Sequence, residues 1–421
     1  MVLAILGLFS SLALAGNPSM PVPGVYLNSA GSPLIPLLQS ASQSIDIEIY
    51  TIKDPTVHQL IRDALARKVR VRILKDPTPL GDVCNEFLPT GQVTPAGNQS
   101  AECSELRKLV QDVRAAGGTF EPFDKANLCP NGGKPNGNGC FEHGKIAIAD
   151  GQTALISTGN FDDTNLCIAS ENPSRCNRDF SVIENDPTLV RTLENIFQSD
   201  LAGNSYDVRT LIPSSLAGAL TVSPYSLQPI LDFINSAKST IDLETQYLKD
   251  SEMNAALMNA AKRGVKVNVT VASFCAFGAP SSYEAQTTQK IYGAFDNAGI
   301  SSAIFNVTNT INGHAGYMHA KVIVVDGTNA WIGSENGSTE SLTQNREYGI
   351  ILNGSTGWVS GVLDVVRGDH SNSNVETWSQ SLSCTKDVNA LGAKVSNPVE
   401  STDVVPVAKK TRRKKNPPPA A

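Results

Sequence analysis

Two stretches of this 421-residue chain carry the residue types that acid–base and nucleophilic chemistry needs. The first is His143-Gly144-Lys145-Ile146-Ala147-Ile148-Ala149-Asp150, followed by Gly151 and then Ser157-Thr158-Gly159-Asn160. The second is His319-Ala320-Lys321-Val322-Ile323-Val324-Val325-Asp326, followed by Gly327 and then Gly333-Ser334-Glu335-Asn336. The apolar run after each lysine predicts a strand, and Asp-Gly predicts a hairpin turn at its end. Side chains alternate faces along a strand, so His319 and Lys321 share a face, and the return strand adds Ser334 and Asn336 to it. The same parity gathers His143, Lys145, Thr158 and Asn160. Asp150 and Asp326 have the opposite parity and sit at the turns, which reads as a structural position. A lone histidine is ordinarily a satisfied core or surface residue. Two copies of one polar pattern inside apolar strands reverse that reading for His143 and His319, whereas His58, His314 and His370 have no such setting.

An imidazole, an ammonium and a carboxamide on each of two patches suit phosphodiester chemistry without a metal or cofactor. A neutral imidazole attacks phosphorus, and a protonated one supplies the leaving alcohol with its proton and then activates water. An imidazole pKa near 6.5 keeps both forms accessible around neutrality. Lys145, Lys321, Asn160 and Asn336 would hold the phosphoryl oxygens as charge develops. Each copy supplies one histidine, so a single chain holds both, and a monomer suffices.

Both copies resemble the HxKxxxxD signature, with its trailing GSxN, of the phospholipase D superfamily. The second copy matches throughout, and the first has Ser157 and Thr158 in place of Gly and Ser. The resemblance implies an α/β fold: two homologous α-β-α halves with mixed sheets, packed about a pseudo-twofold axis around one shared active site. It implies His143, Lys145, Asp150, His319, Lys321 and Asp326 as the catalytic set, with Thr158, Asn160, Ser334 and Asn336 at the substrate. It further implies His143 as nucleophile, His319 as acid and base, and a carboxylate after GSxN that orients the histidine. Glu347 and Asp179 occupy that place.

The elements that must position the motifs also repeat. Helix 33–42, strand 45–50, helix 55–67 and strand 69–74 read as a parallel βαβ arrangement. Ile45, Asp46, Glu48, Lys53, Asp54, Arg67, Val69 and Val71 reappear 196 positions on as Ile241, Asp242, Glu244, Lys249, Asp250, Arg263, Val265 and Val267. The histidines are only 176 apart, so the first half carries about twenty extra residues before its motif. Asn177-Arg178-Asp179 and Asn345-Arg346-Glu347 form a further matched pair, each followed by a closing helix, 189–201 and 359–367. The predicted organisation is a signal peptide over 1–15, a first half over 25–205 with a Cys-rich insertion at 76–142, a second half over 220–385, and a disordered basic tail over 386–421. Glu48 and Glu244, alternating with apolar residues, read equally as strand support or substrate contact.

Bulk properties narrow the partners. The apolar Met1–Ala15 stretch ending Ala13-Leu14-Ala15 reads as a secretory leader with its cleavage site, and eight cysteines without a CxxC favour disulfides over zinc. Pairings Cys84–Cys103, Cys129–Cys140, Cys167–Cys176 and Cys275–Cys384 are expected. The net charge is −6 although six basic residues crowd between Lys409 and Lys415, so the body is acidic and a poor attractor for nucleic acid. The basic tail suits an anionic membrane surface. The expected activity is that of a secreted phospholipase D, cleaving glycerophospholipids to phosphatidate through a phosphohistidine, with an alcohol able to intercept it. A secreted metal-independent nuclease and a phosphatidyl transferase are the alternatives.

Overall fold

The computed structural model describes residues 19–384, apart from 81–83, 85, 88–99, 126–127, 129–139, 168–174 and positions 204, 277, 307, 355 and 373. The signal-peptide and tail expectations lie outside these residues, as does position 129 of the Cys129–Cys140 pairing. The other three disulfides, Cys84–Cys103, Cys167–Cys176 and Cys275–Cys384, are formed.

Two seven-stranded mixed sheets have the same strand order. The first runs Gly24–Leu27, Phe180–Glu184, Thr153–Ser157, Lys145–Ala149, Ser44–Ile49, Arg70–Lys75 and Thr119–Pro122 across its width. The second runs Leu220–Ser223, Glu347–Asn353, Asn329–Gly333, Lys321–Val325, Thr240–Thr245, Lys266–Ala272 and Ser301–Phe305. In each, the motif strand lies antiparallel to the strand matched by the 196-residue offset, Ile49 opposite Lys145 and Thr245 opposite Lys321. Helices Pro55–Ala66 and Ser251–Lys262 start at Asp54 and Asp250, whose carboxylates accept from the second and third backbone amides of the helix. Each helix then returns the chain to a parallel neighbour strand.

Period-two burial divides each motif strand between two cores. Ile146, Ile148, Val322 and Val324 enter one central cluster shared by both halves, together with Leu193 and Val362 from the closing helices Pro187–Leu201 and Thr356–His370. Ala147 and Ala149 face a separate core under the first half's outer helices, and Ile323 and Val325 its counterpart in the second. The apolar residues of each strand therefore anchor both of its faces, and its first residue, a lysine, is held at the strand's end.

Candidate active site

The two motifs meet where the halves pair through their backbones. Strand Arg175–Arg178 runs parallel to His314–Met318, with Met318 opposite Arg178, and His319 N–H donates to the Arg178 carbonyl at 3.3 Å. The mirrored contact is a single parallel bridge between Glu142 and Arg346, with His143 N–H donating to the Arg346 carbonyl at 2.8 Å. Parallel pairing sets matched residues side by side, so each histidine stands against the carboxylate of the opposite half. His143 Nδ1 lies 2.7 Å from Glu347 Oε2, and His319 Nδ1 lies 2.9 Å from Asp179 Oδ1. An Nδ1 proton held by a carboxylate fixes the tautomer and aims Nε2 at the reacting atom. The imidazoles are 5% and 4% exposed, which leaves a narrow opening.

Lys145 and Lys321 are fully buried, and each Nζ folds back to the carbonyl of its own histidine, at 2.6 and 2.7 Å. Lys321 Nζ also lies 3.1 Å from His319 Nε2 and 3.3 Å from the Thr158 carbonyl of the other half. The carboxamide oxygens of Asn160 and Asn336 are buried and accept no hydrogen bond among the described residues. Each lysine is thus anchored on the backbone of its own motif histidine, and each asparagine keeps a buried acceptor. No group of three or more residues fit to hold a metal ion occurs among the described residues.

Four of the expected site residues bind backbone amides. Asp150 and Asp326 lie at the far ends of their strands from the lysines and bind only the adjoining turn. Asp150 accepts the amides of Ser42, Gln43 and Ser44, and Asp326 those of Lys238, Ser239 and Thr240. Both have positive φ, 55° and 52°, as does the following glycine, the backbone of a type I′ hairpin. These are the turn contacts that the parity of the two aspartates implies. Thr158 and Ser334 are fully buried and accept the amides of Phe180 and Tyr348, each at 3.0 Å, which fastens the next strand. Thr158 also donates to Asp179 at 2.6 Å.

Two positioning residues escaped the sequence reading. Asn165 Nδ2 donates to Asp179 Oδ2 at 2.9 Å, and the Ser341 hydroxyl donates to Glu347 Oε1. They are 176 positions apart, the offset of the motif histidines, and that offset was the available signal. Gly159, the residue between Thr158 and Asn160, makes room for Asp179: a Cβ there would stand 2.7 Å from its carboxyl carbon. The second half has Glu335 at this place, its Oε1 held by Thr221 and Ser226 at 2.9 and 2.7 Å.

The electrostatics follow from burial and neighbours. Burial pushes the Asp179 carboxyl up, but His319, Lys321 and Thr158 outweigh it and hold it below its usual range. Burial, and then the charge of Glu347, pushes Glu335 up to about 7. Burial followed by Asp200 raises Glu48 well above the carboxylate range, and burial followed by Asp369 does the same for Glu244. These two are the polar core of ionic clamps between halves. Arg346 pairs with Asp200 at 2.9 Å, and Arg178 with Asp369 at 2.5 Å. Phe274 packs on Tyr292 at 5.3 Å between ring centres, while Tyr283 is exposed.

Duplicated halves that each orient the other's histidine define the architecture of the phospholipase D superfamily, a class of phosphodiesterase-type enzymes. Within it, the chain belongs to the family described as "Cardiolipin synthase, PLD-like domain", whose model matches residues 34–201 and 230–360. It is 23% identical to the major cardiolipin synthase of Bacillus subtilis over 75% of this chain and 61% of that protein. It is 25% identical to a cardiolipin synthase of Clostridium perfringens, covering 77% and 65%. The chain therefore spans about three-fifths of the length of the curated relatives it matches. Its fold is similar to that of a phosphatidylserine synthase from Haemophilus influenzae, with a TM-score of 0.55 at 12% identity, covering 84% of this chain and 87% of that one.

Proposed function

We propose that this protein is a phosphatidyl transferase, moving the phosphatidyl group of a glycerophospholipid from its head-group alcohol to another alcohol. The observation that carries it is the crosswise pair of oriented imidazoles, which provides two histidines able to divide one double displacement. His143 Nε2 attacks phosphorus, the bond to the head-group oxygen breaks, and that oxygen takes the proton of His319 Nε2. An acceptor hydroxyl then attacks phosphorus as His319 takes its proton, and the phosphorus–nitrogen bond breaks to regenerate His143. Lys145, Lys321, Asn160 and Asn336 hold the non-bridging oxygens in both steps.

Resemblance to cardiolipin synthases over three-quarters of the chain favours transfer over hydrolysis. The near-complete burial of both imidazoles and lysines favours it too, because water is restricted at the phosphoenzyme. The disulfides support an oxidising location, and a lipid substrate calls for contact with a membrane surface. No described helix is long and apolar enough to cross a membrane.

The test is product analysis with phospholipid vesicles and a primary alcohol, with His319→Ala as control. Phosphatidyl-alcohol in excess over phosphatidate, made only by the unaltered protein, is the expected result. Phosphatidate alone would make it a hydrolase, and cleavage of an oligonucleotide with no lipid product would make it a nuclease.

A further inference from the structure

The sheet face that carries His319 continues outward as a rung of hydrogen-bonding groups. In the parallel pair, Tyr317 stands opposite Asn177 and Ala315 opposite Arg175. Alternation puts Arg175, Asn177 and Asp179 on one face, together with Tyr317 and His319. The Asn177–Tyr317 rung is thus the next one out from the His319–Asp179 pair, a step of roughly 7 Å along the strands. Gln246 closes the rung by donating from Nε2 to the Tyr317 hydroxyl at 3.0 Å, and the Arg175 guanidinium lies 5.4 Å from the centre of the Tyr317 ring. All four residues are more than nine-tenths buried.

Two acceptors in this rung accept nothing among the described residues. The carboxamide oxygens of Gln246 and Asn177 are buried and have no hydrogen-bond partner among the described residues. A buried acceptor left unpaired costs on the order of 1–3 kcal/mol, so a native fold keeps one where something else fills it. The first half shows what the same positions look like when they are closed. Tyr50, which matches Gln246 by the 196-residue offset, lays its ring against His143 with centres 4.7 Å apart and against Phe141 at 5.8 Å. Asn345, the match of Asn177, is satisfied at both ends, accepting from Phe141 N–H and donating to Glu347. One histidine therefore has an aromatic wall, whereas the rung next to the other carries two buried amide oxygens without a partner among the described residues.

We propose that Gln246 and Asn177, with Tyr317, form a subsite beside His319 for the alcohol that leaves or enters. It would select alcohols that carry a second hydrogen-bond donor, a hydroxyl or primary amine, within two or three carbons of the reacting hydroxyl. A hydrophobic monoalcohol offers nothing to the two acceptors, and a quaternary ammonium has no N–H to give them. The inference rests on the phosphatidyl-transfer reading and names the alcohol class for it.

The experiment uses the full chain with phosphatidyl-p-nitrophenol in mixed vesicles and equal concentrations of glycerol and 1-propanol. Nitrophenolate release reports total turnover, and the ratio of phosphatidylglycerol to phosphatidylpropanol reports the subsite. We expect unaltered protein to favour glycerol by about tenfold or more, since a site built to bond a hydroxyl discriminates against its absence. Gln246→Met and Gln246→Tyr, the latter restoring the residue type of the first half, should each bring that ratio towards one. Turnover with no glycerol preference in the unaltered protein overturns the subsite whatever the variants do. A preference that survives both variants in folded protein overturns the assignment to Gln246. No nitrophenolate release from the unaltered protein, or release with phosphatidate as the only lipid product, would fail the transfer reading itself and is told apart by those signals.

Discussion

The two halves agree in backbone and disagree around their histidines. Strand order, the Asp-Gly hairpins, the helix caps and the crosswise carboxylates all match across the pseudo-twofold. The surroundings do not. Behind His143 lies an ionic cluster: Lys75 on Glu86 at 2.5 Å, Lys125 on Asp76 at 2.7 Å, and Asp76 accepting the Glu142 amide at 2.8 Å. Burial, then the charge of Glu48, raises Glu142 well above the carboxylate range. The matching places behind His319 are Val271, Ala272 and Met318, all buried and apolar. The Cys84–Cys103 disulfide ties the segment bearing Glu86 to the rest of the first half. Two chemically equal imidazoles thus sit in unequal surroundings, and that inequality, rather than the motif, is what can divide nucleophile from acid.

The largest expected effect tests that division. His143→Ala and His319→Ala should each lower kcat by about 10⁴-fold or more. They should differ with an activated donor such as phosphatidyl-p-nitrophenol, whose leaving group needs no proton. His319→Ala should then accumulate a covalent phosphatidyl adduct visible in the intact protein mass, and His143→Ala should show none. An adduct in His143→Ala alone would exchange the two roles.

Next come the orienting carboxylates. Glu347→Gln and Asp179→Asn should each cost about 10²–10⁴-fold in kcat, because the amide no longer fixes the proton on Nδ1. Their pH–rate profiles should differ, Glu347→Gln moving the limb set by His143 and Asp179→Asn the limb set by His319. Identical displacement of both limbs by either variant would refute the crosswise assignment.

Much of this site is legible in the sequence. Strand parity separates His143 and Lys145 from Asp150, and the 196- and 176-residue offsets expose the duplication. Parity names a face of a strand, however, and says nothing of which half lies opposite it. The pairing of Glu347 with His143 depends on parallel contact between segments 204 residues apart, which no local period encodes. Asn165 and Ser341 were masked for a different reason: unlike side chains perform the same hydrogen bond, so only the offset relates them. Thr158 and Ser334 have the parity expected for substrate, and each also accepts a backbone amide of the adjacent strand, which parity does not show.

The interhalf clamps offer a comparison of intermediate size. Arg346 is 4% exposed and its partner Asp200 1%, whereas Arg178 and Asp369 are 11% and 9% exposed. Removing one member of a buried pair strands the other's charge, at about 3–5 kcal/mol when water is excluded. Asp200→Asn should therefore cost about 3–5 kcal/mol in urea unfolding, and Asp369→Asn should cost less, since partial hydration screens its arginine. Equal losses would mean that the small exposure of the second pair does not relieve it.

The smallest effect concerns the hairpin aspartates and distinguishes a turn from a catalyst. Asp326 is held at about 2 against its ordinary value near 3.9, because three backbone amides bind its carboxylate and outweigh burial. A folded pKa below the unfolded one contributes stability that is fully present above the unfolded value and is lost as pH falls through the folded one. The window therefore runs from about pH 4 down to about pH 2. The group is partly exposed, so the contribution is discounted to roughly 1 kcal/mol. Asp326→Asn should lower stability at pH 7 by about that amount and flatten acid unfolding across this window. Asp150→Asn should act in the same direction, its carboxyl being held below its usual range by the amides of Ser44, Gln43 and Ser42 against burial. In both variants kcat per folded molecule should stay within about twofold, because neither carboxylate touches an imidazole or a lysine. A loss of kcat by orders of magnitude with stability unchanged would return these aspartates to the catalytic set and would require the halves to rearrange when substrate binds.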